Sequence, residues 1–443
     1  MVKWIDFIRL AGIRGGYRIF MRKFFDSRPV FSVMIKVARA YRRILLRKPR
    51  VCAVIGSLGK TTTTRAVRAA VGGPVRQPWY SNYGSSLACN LLAVRPWDPH
   101  TVLEAGIAYP GMMDDNLYIL KPDMVVATAI AWEHFRTFKS HEDIRDEKVK
   151  IIRALPPAGW AVLNGDDPHI RWMASQTRAR VMFYGLGDDC AVRLLDFQYD
   201  WPHGMTGRVA YRDQIWDVRT RMFGRHFWYS VLAGLTVAVC WNTDIPAAIE
   251  RLSHLPPTPN RLECIELENK CRIMDDTCKG GFDSWLTACA ALEQVNAERK
   301  IVVCGDIEDP PGSRAETYGR VGEAIGRAAE VAIFFGFGDD LNKARVAAQR
   351  AGISPENISI LKSSHWEKLA ETVRGMMRPG DVILVKGRSA YRLQRVVLAL
   401  QNRTVTCPLK ICNIKVHTCD ECPMLERRMP DFQNHYILPY IKQ

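Results

Sequence analysis

Residues 56–64 read Gly-Ser-Leu-Gly-Lys-Thr-Thr-Thr-Thr and follow directly on the apolar run at 51–55. Two glycines, a lysine and a train of hydroxyls after a strand-like run are the makings of a phosphate-binding loop. Glycine at Gly56 and Gly59 lets backbone N–H groups wrap phosphate oxygens. A helix opening near Lys60 aims its positive dipole end at the same anion. Lys60 has the reach for β- and γ-phosphates, the Thr61 hydroxyl suits Mg²⁺, and Ser57 and Thr62 belong to the same nucleotide-binding stretch. Where the first glycine of the general Gly-x-x-x-x-Gly-Lys-Ser/Thr pattern would fall, the chain has Val54. The loop is the shorter Gly-x-x-Gly-Lys-Thr, and its chemistry is binding of a nucleotide's phosphates with Mg²⁺.

Other residues able to do chemistry are scattered. Glu104 closes an apolar run, His134 sits between Trp132 and Phe135, Lys148 lies in the charged stretch 143–150, and Asn164 and Asp166 share a turn. Singly, each has a plainer reading: a surface carboxylate, a core histidine, a solvated helix face, turn chemistry. Near the C-terminus Cys407, Cys412, Cys419 and Cys422 form C-x₄-C-x₆-C-x₂-C around His417. Four thiols this close suit a tetrahedral structural Zn²⁺; an iron–sulfur cluster and free, packed cysteines are the open alternatives.

Short apolar runs must position these residues. They recur at 51–55, 101–103, 124–128, 160–163 and 181–184, with helix-like segments between several of them. This alternation predicts a parallel α/β sheet. The proline-rich stretch 255–259 breaks it, and it restarts at 271–274, 301–303, 331–335, 359–361 and 382–385. The expected organisation is a basic amphipathic helical segment at 1–50, a nucleotide-binding domain at 51–255, a second α/β domain at 256–400 and a Cys-rich tail at 401–443.

A chain of 443 residues with 47% hydrophobic and 24% charged residues is neither disordered, collagen-like nor a small disulfide scaffold. Its net charge is +16, and residues 1–50 hold 14 Lys/Arg against only Asp6 and Asp26. Amphipathic patterns at 2–24 and 31–47 place Arg and Lys beside bulky apolar residues. They fit an anionic membrane surface, an acidic partner, or plain packing against the body. Thirteen cysteines without a secretion signal fit a reducing cytoplasm, with a peripheral place at the inner membrane face left open. No run of 18 apolar residues predicts a spanning helix.

The short loop with its threonine run resembles the Mur ligases, ATP-dependent amide-forming enzymes of cell-wall synthesis. Further blocks follow in the family's order: Leu103-Glu104-Ala105-Gly106, Ala131-Trp132-Glu133-His134-Phe135, Asp146-Glu147-Lys148, Asn164-Gly165-Asp166-Asp167, Asn260-Arg261-Leu262-Glu263, Asp275-Asp276 with Asp283-Ser284, and the stretch 380–389. The last stretch and Asp283-Ser284 are similar to the subgroup that adds D-alanyl-D-alanine. The resemblance implies a P-loop central domain and a Rossmann-like C-terminal domain. It implies Glu104 at a metal, His134 on a second metal or its waters, and Lys148, often carbamylated in the family, facing that metal. Asn164 and His226 would meet the nucleotide, joined by Arg261 and Asp276 as the C-terminal domain closes. Such a ligase brings two anions together, a carboxylate and the γ-phosphate, so Lys60 and Mg²⁺ held by Thr61 and Glu104 must neutralise them. The acyl phosphate is then attacked by an amine.

Three departures stand out. Only a basic segment of 50 residues precedes the strand that leads into the loop, where the family has a domain for the UDP-sugar end of its substrate. The adenine-side motif becomes His226-Phe227-Trp228-Tyr229-Ser230, leaving Tyr229 or Trp228 as candidates to stack on the base. The acceptor-side stretch becomes Cys278-Lys279-Gly280-Gly281-Phe282, which suggests a different acceptor. Two rival functions remain on sequence grounds. One is a membrane-docked P-loop ATPase that does no ligation. The other is a nucleic-acid binder using the basic arm, which no readout motif supports.

Overall fold

The computed structural model describes residues 28–75, 84–133, 137–336, 338–363, 365–412, 418–422 and 424–426; the pattern read at 2–24 lies outside them. The chain forms two compact units that divide between Thr258 and Pro259, inside the proline-rich stretch.

In the first unit, strands β1 (Arg50–Ile55), β2 (His100–Glu104), β3 (Met124–Ala127), β4 (Trp160–Asn164) and β5 (Arg180–Gly185) run parallel in the order β2-β1-β3-β4-β5. The first four are buried at nearly every position. Strands covered on both faces lose the polar alternation, so continuous apolar runs marked them in the sequence. β6 (Val192–Asp200) joins β5, and β7 (Gly204–Tyr211) and β8 (Gln214–Thr220) extend the sheet antiparallel to eight strands. No apolar run marks this wing: it exposes one face, where Arg208 pairs with Asp196 and Arg219 with Asp200.

Helix α1 (Arg28–Ile44) belongs to this unit's core. Met34 and Ala38 pack in one cluster with Leu87, Leu91 and Ile119. Buried Arg42 donates to the carbonyls of Leu120 at 3.0 Å and Lys121 at 2.9 Å and pairs with Asp123 at 2.8 Å. It thereby caps the end of α4 (Met112–Leu120), where a cation meets the negative end of the helix dipole. The outer face of α1 exposes Val33, Val37 and Ile44 beside Lys36, Arg43 and Arg47. Helices α2 (Lys60–Val71), α3 (Gly84–Leu92), α5 (His141–Arg153), α6 (Pro168–Trp172), α7 (Trp228–Cys240) and α8 (Ile245–Ser253) complete the unit. α5 starts in a Ser140–Asp143 capping box.

The second unit is a six-stranded sheet in the order β13-β12-β11-β14-β10-β9: β9 (Glu263–Glu266), β10 (Arg272–Asp276), β11 (Arg299–Cys304), β12 (Val331–Phe335), β13 (Ile358–Leu361) and β14 (Asp381–Lys386). Only β9 runs antiparallel. Helices α9 (Phe282–Glu293), α10 (Arg314–Ala328), α11 (Asp340–Arg350), α12 (Trp366–Met376) and α13 (Gln394–Leu400) alternate with the strands. The chain direction across the sheet switches between β11 and β14, and open α/β sheets hold ligands outside the strand ends at such a point. Among the described residues, no helix is long and apolar enough to cross a membrane.

Candidate active site

Four parallel strands of the first unit end side by side. Val54 of β1 faces Glu104 of β2, Ile55 faces Ala127 of β3, and Ala127 faces Leu163 of β4. The loop leaving β1 is fixed to the segment leaving β3: Ser57 N–H donates to Ala129 O at 2.7 Å and Thr128 Oγ1 to Leu58 O at 2.6 Å. Position 56 admits only glycine. Its φ is +134°, and a Cβ there would stand 1.9 Å from Thr128 Oγ1. Gly59, at φ +79°, turns the chain into α2.

Lys60 opens α2 and folds its ammonium back over the loop, donating to Gly56 O at 2.6 Å and Ser57 O at 3.0 Å. Lys148, fully buried on α5, donates to the same Gly56 carbonyl at 2.9 Å. One carboxylate serves both lysines: Glu133 lies 2.7 Å from Lys148 Nζ and 3.6 Å from Lys60 Nζ. Glu133 is the residue that the sequence reading passed over. Its only signal is its place before His134 in the Ala-Trp-Glu-His-Phe block. His134 itself lies outside the described residues.

Thr61 and Glu104 do meet: Thr61 Oγ1 donates to Glu104 Oε2 at 2.9 Å. A hydroxyl and a carboxylate beside a phosphate loop form the hard oxygen set that Mg²⁺ takes, with room left for waters and phosphate oxygens. Ser57 Oγ is buried with no hydrogen-bond partner among the described residues, a donor that a phosphate oxygen would satisfy. Thr62, by contrast, turns its hydroxyl inward to Thr258 Oγ1 at 3.1 Å. Its backbone N–H, in the first turn of α2, is what it has to offer an anion.

Asn164 holds the site from behind. Its amide donates to Thr128 O at 2.7 Å and accepts from Asp166 N–H at 3.1 Å. Asp167 accepts from Ile130 N–H at 2.8 Å. The Asn-Gly-Asp-Asp turn thus props the segment that pins the phosphate loop. His226 sits on a short turn before α7 with its ring 4.1 Å from that of Phe227. Ser230 Oγ meets Thr63 Oγ1 at 2.9 Å, which places this turn beside the start of α2. Trp228 has no exposed surface and is a core residue, so it cannot stack on a base. Tyr229 is half-buried; burial first, then nearby Asp166, pushes its phenol above the ordinary range.

In the second unit Asp276 ends β10 and forms an ion pair with buried Lys386 at the end of β14. Lys386 also donates to Lys279 O at 2.7 Å, tying the altered acceptor-side stretch to the strand ends. Asp275 is enclosed: Thr277 Oγ1 donates to it at 2.7 Å and Asn260 Nδ2 at 2.8 Å. Burial raises its carboxyl to about 6. Arg261 lies half-buried between Asn260 and Leu262, both with positive φ.

The model of the Mur ligase middle domain matches residues 54–238, and that of the Mur ligase glutamate ligase domain matches residues 260–389. The UDP-N-acetylmuramoyl-tripeptide–D-alanyl-D-alanine ligase of Bacillus subtilis is 25% identical over 374 residues, covering 83% of this chain and 78% of that protein. The UDP-N-acetylmuramate–L-alanine ligase of Desulforapulum autotrophicum is 26% identical over 259 residues, covering 58% of this chain and 56% of that one. The MurF ligase of Thermotoga maritima, solved with ADP, superposes with a TM-score of 0.71 at 22% identity over 84% of both chains. A pseudomurein peptide ligase from Methanothermus fervidus superposes at 0.63 with 16% identity over 85% of both. With both domain models in register, and the loop, Glu104 and Lys148 gathered at one sheet edge, the chain belongs to the Mur ligase family of ATP-dependent acid–amine ligases.

Proposed function

We propose that this protein condenses a carboxylic acid with an amine, such as an amino acid or short peptide, at the expense of ATP. The observation that carries the reading is the convergence of Lys60 and Lys148 on Gly56 O, with the Thr61–Glu104 pair at the neighbouring strand end. Two cations and a hard oxygen pair at one anion-binding loop suit the approach of a carboxylate to a polyphosphate, where like charges must be neutralised.

In this reading the backbone N–H groups of Gly59, Lys60, Thr61 and Thr62 hold phosphate oxygens, and Lys60 swings from the loop carbonyls to the β/γ-phosphates. Thr61 and Glu104 would hold Mg²⁺, which supplies charge neutralisation at the transferring phosphoryl group. His134 and Lys148 serve the carboxylate side. A carboxylate oxygen attacks the γ-phosphorus, the bond to ADP breaks, and an acyl phosphate forms. The amine nitrogen then attacks the acyl carbon, the amide forms, and phosphate leaves with the oxygen that came from the acid; the amine's surplus proton passes to a base. Asn164 keeps the loop in place, Tyr229 and His226 lie on the base side, and Arg261 and Asp276 are the nucleotide contacts of the second unit.

The two curated relatives named above attach D-alanyl-D-alanine and L-alanine. Cys278-Lys279-Gly280-Gly281-Phe282 supports an acceptor of different shape for this chain. A screen of acids against amines, read by phosphate release, identifies the pair. In that assay Lys60→Ala is expected to lose at least about a hundredfold of turnover. Wild-type turnover in Lys60→Ala would end the assignment of the loop.

A further inference from the structure

The tail after α13 contains no helix or strand among its described residues, yet it is held closely to the second unit. Trp366 Nε1 donates to Cys407 O at 3.1 Å, Cys412 N–H to Ala390 O at 2.8 Å, and Cys419 N–H to Gln394 Oε1 at 2.6 Å. The C-x₂-C pair is turned back on itself by Cys422 N–H to Cys419 O at 3.0 Å, and Leu425 N–H continues the turn to Cys422 O at 3.0 Å. The backbone of every one of the four cysteines is therefore fixed. All four side chains, together with Arg392 and Arg395, line one cavity of about 20 Å³, and none is in a disulfide.

From these placements we infer that Cys407, Cys412, Cys419 and Cys422 form a structural Zn²⁺ site that fastens the tail to the second unit. This site is independent of the ligase reading. Size and charge select the occupant. The cavity has room for about one water-sized body and none for an iron–sulfur cubane. Arg395 is 1% exposed, and no carboxylate forms an ion pair with it among the described residues. Its donors go to the carbonyls of Tyr391, Arg392 and Leu409 and, at 3.9 Å, to Cys407 Sγ. Arg392 reaches Cys412 O at 3.4 Å from the same wall. The Arg395 guanidinium, buried beside four neutral thiols with no carboxylate paired to it among the described residues, would be uncompensated at this wall, which is costly. Zn²⁺ bound by four thiolates is a dianion, and the two arginines balance it. Donors directed at metal-bound sulfur are the usual outer layer of such sites.

Binding forms four Zn–S bonds and releases four protons to solvent, with no change of oxidation state. Among the described residues no three side chains already grip a common point, so the thiols turn inward from the cavity wall as the ion enters.

The test is metal analysis of the full-length chain, purified with a reductant and without chelators. One zinc per chain is expected. The Cys419→Ser/Cys422→Ser double variant should lose it, and Cys52→Ser should keep it. Zinc removal from the wild type by a mercurial, read with a colorimetric chelator, should speed tryptic cleavage at Arg403 and Lys410. This second readout stands even if the double variant fails to fold. A wild-type chain that takes up no zinc when offered it, that carries iron with visible absorption, or whose four tail thiols are paired as disulfides would overturn the proposal.

Discussion

Lys148 has no exposed side-chain surface, and it forms an ion pair with Glu133, itself only 8% exposed. Removing one member of such a pair leaves a buried charge uncompensated, which costs about 3–5 kcal/mol, whereas replacing both by apolar groups is far milder. Glu133→Gln is therefore expected to destabilise the first unit by that order in urea unfolding, and Lys148→Met/Glu133→Gln to recover most of it. Unfolding of Glu133→Gln at the wild-type midpoint would show that the pair is not formed in solution. Asp275 gives a pH signature in the second unit. Its carboxyl rises from 3.8 to about 6 through burial, against the pull of Thr277 and Asn260. The folded form thus keeps a proton that the unfolded chain gives up near pH 4. The stability from this proton is complete below that pH and is lost as pH climbs through 6, by about 3 kcal/mol at most. Asp275→Asn should lack this fall, so urea unfolding from pH 4 to 7 should show the variant gaining on the wild type; a constant difference would contradict it. Lys60 and Thr61 were legible because spacing after an apolar run marks a phosphate loop, whereas Glu104 stood out only through the family resemblance of its block. Glu133 and Lys386 were not legible, because their partners are set by the fold: Lys386 meets Asp276, 110 residues away.

At the level of elements, the buried strands were readable and the half-exposed ones were not. β1 to β4 show themselves as unbroken apolar runs, whereas β6 to β8 mix charge into every strand and close the sheet through cross-strand pairs such as Arg208–Asp196. The basic segment was only partly legible. Its helical period at 31–47 was clear, but composition could not say which arginine is inside. Arg42 is, at 7% exposure, because it alone reaches the carbonyls that end α4. Arg42→Ala is expected to cost the first unit about 2–4 kcal/mol, since it strands buried acceptors and Asp123. Exposed Arg43→Ala should stay within about 0.5 kcal/mol of wild type. Equal effects in thermal melts would mean that α1 is not docked as described.

Taken as a whole, the chain has one unit built around a phosphate loop and another whose strand ends are tied by the Lys386–Asp276 pair. The overall +16 gives little guidance to this design, because 14 of the basic residues lie in the first 50 positions and the catalytic candidates come afterwards. The central claim is that the acid itself, not water, takes the γ-phosphoryl group. Once a substrate pair is in hand, the most direct measurement uses acid labelled with ¹⁸O in its carboxylate, with ATP and the amine. Mass analysis should find one ¹⁸O carried into each phosphate released, at a rate that depends on the amine. Phosphate without the label, released whether or not the amine is present, would mean that the protein hydrolyses ATP and is not a ligase.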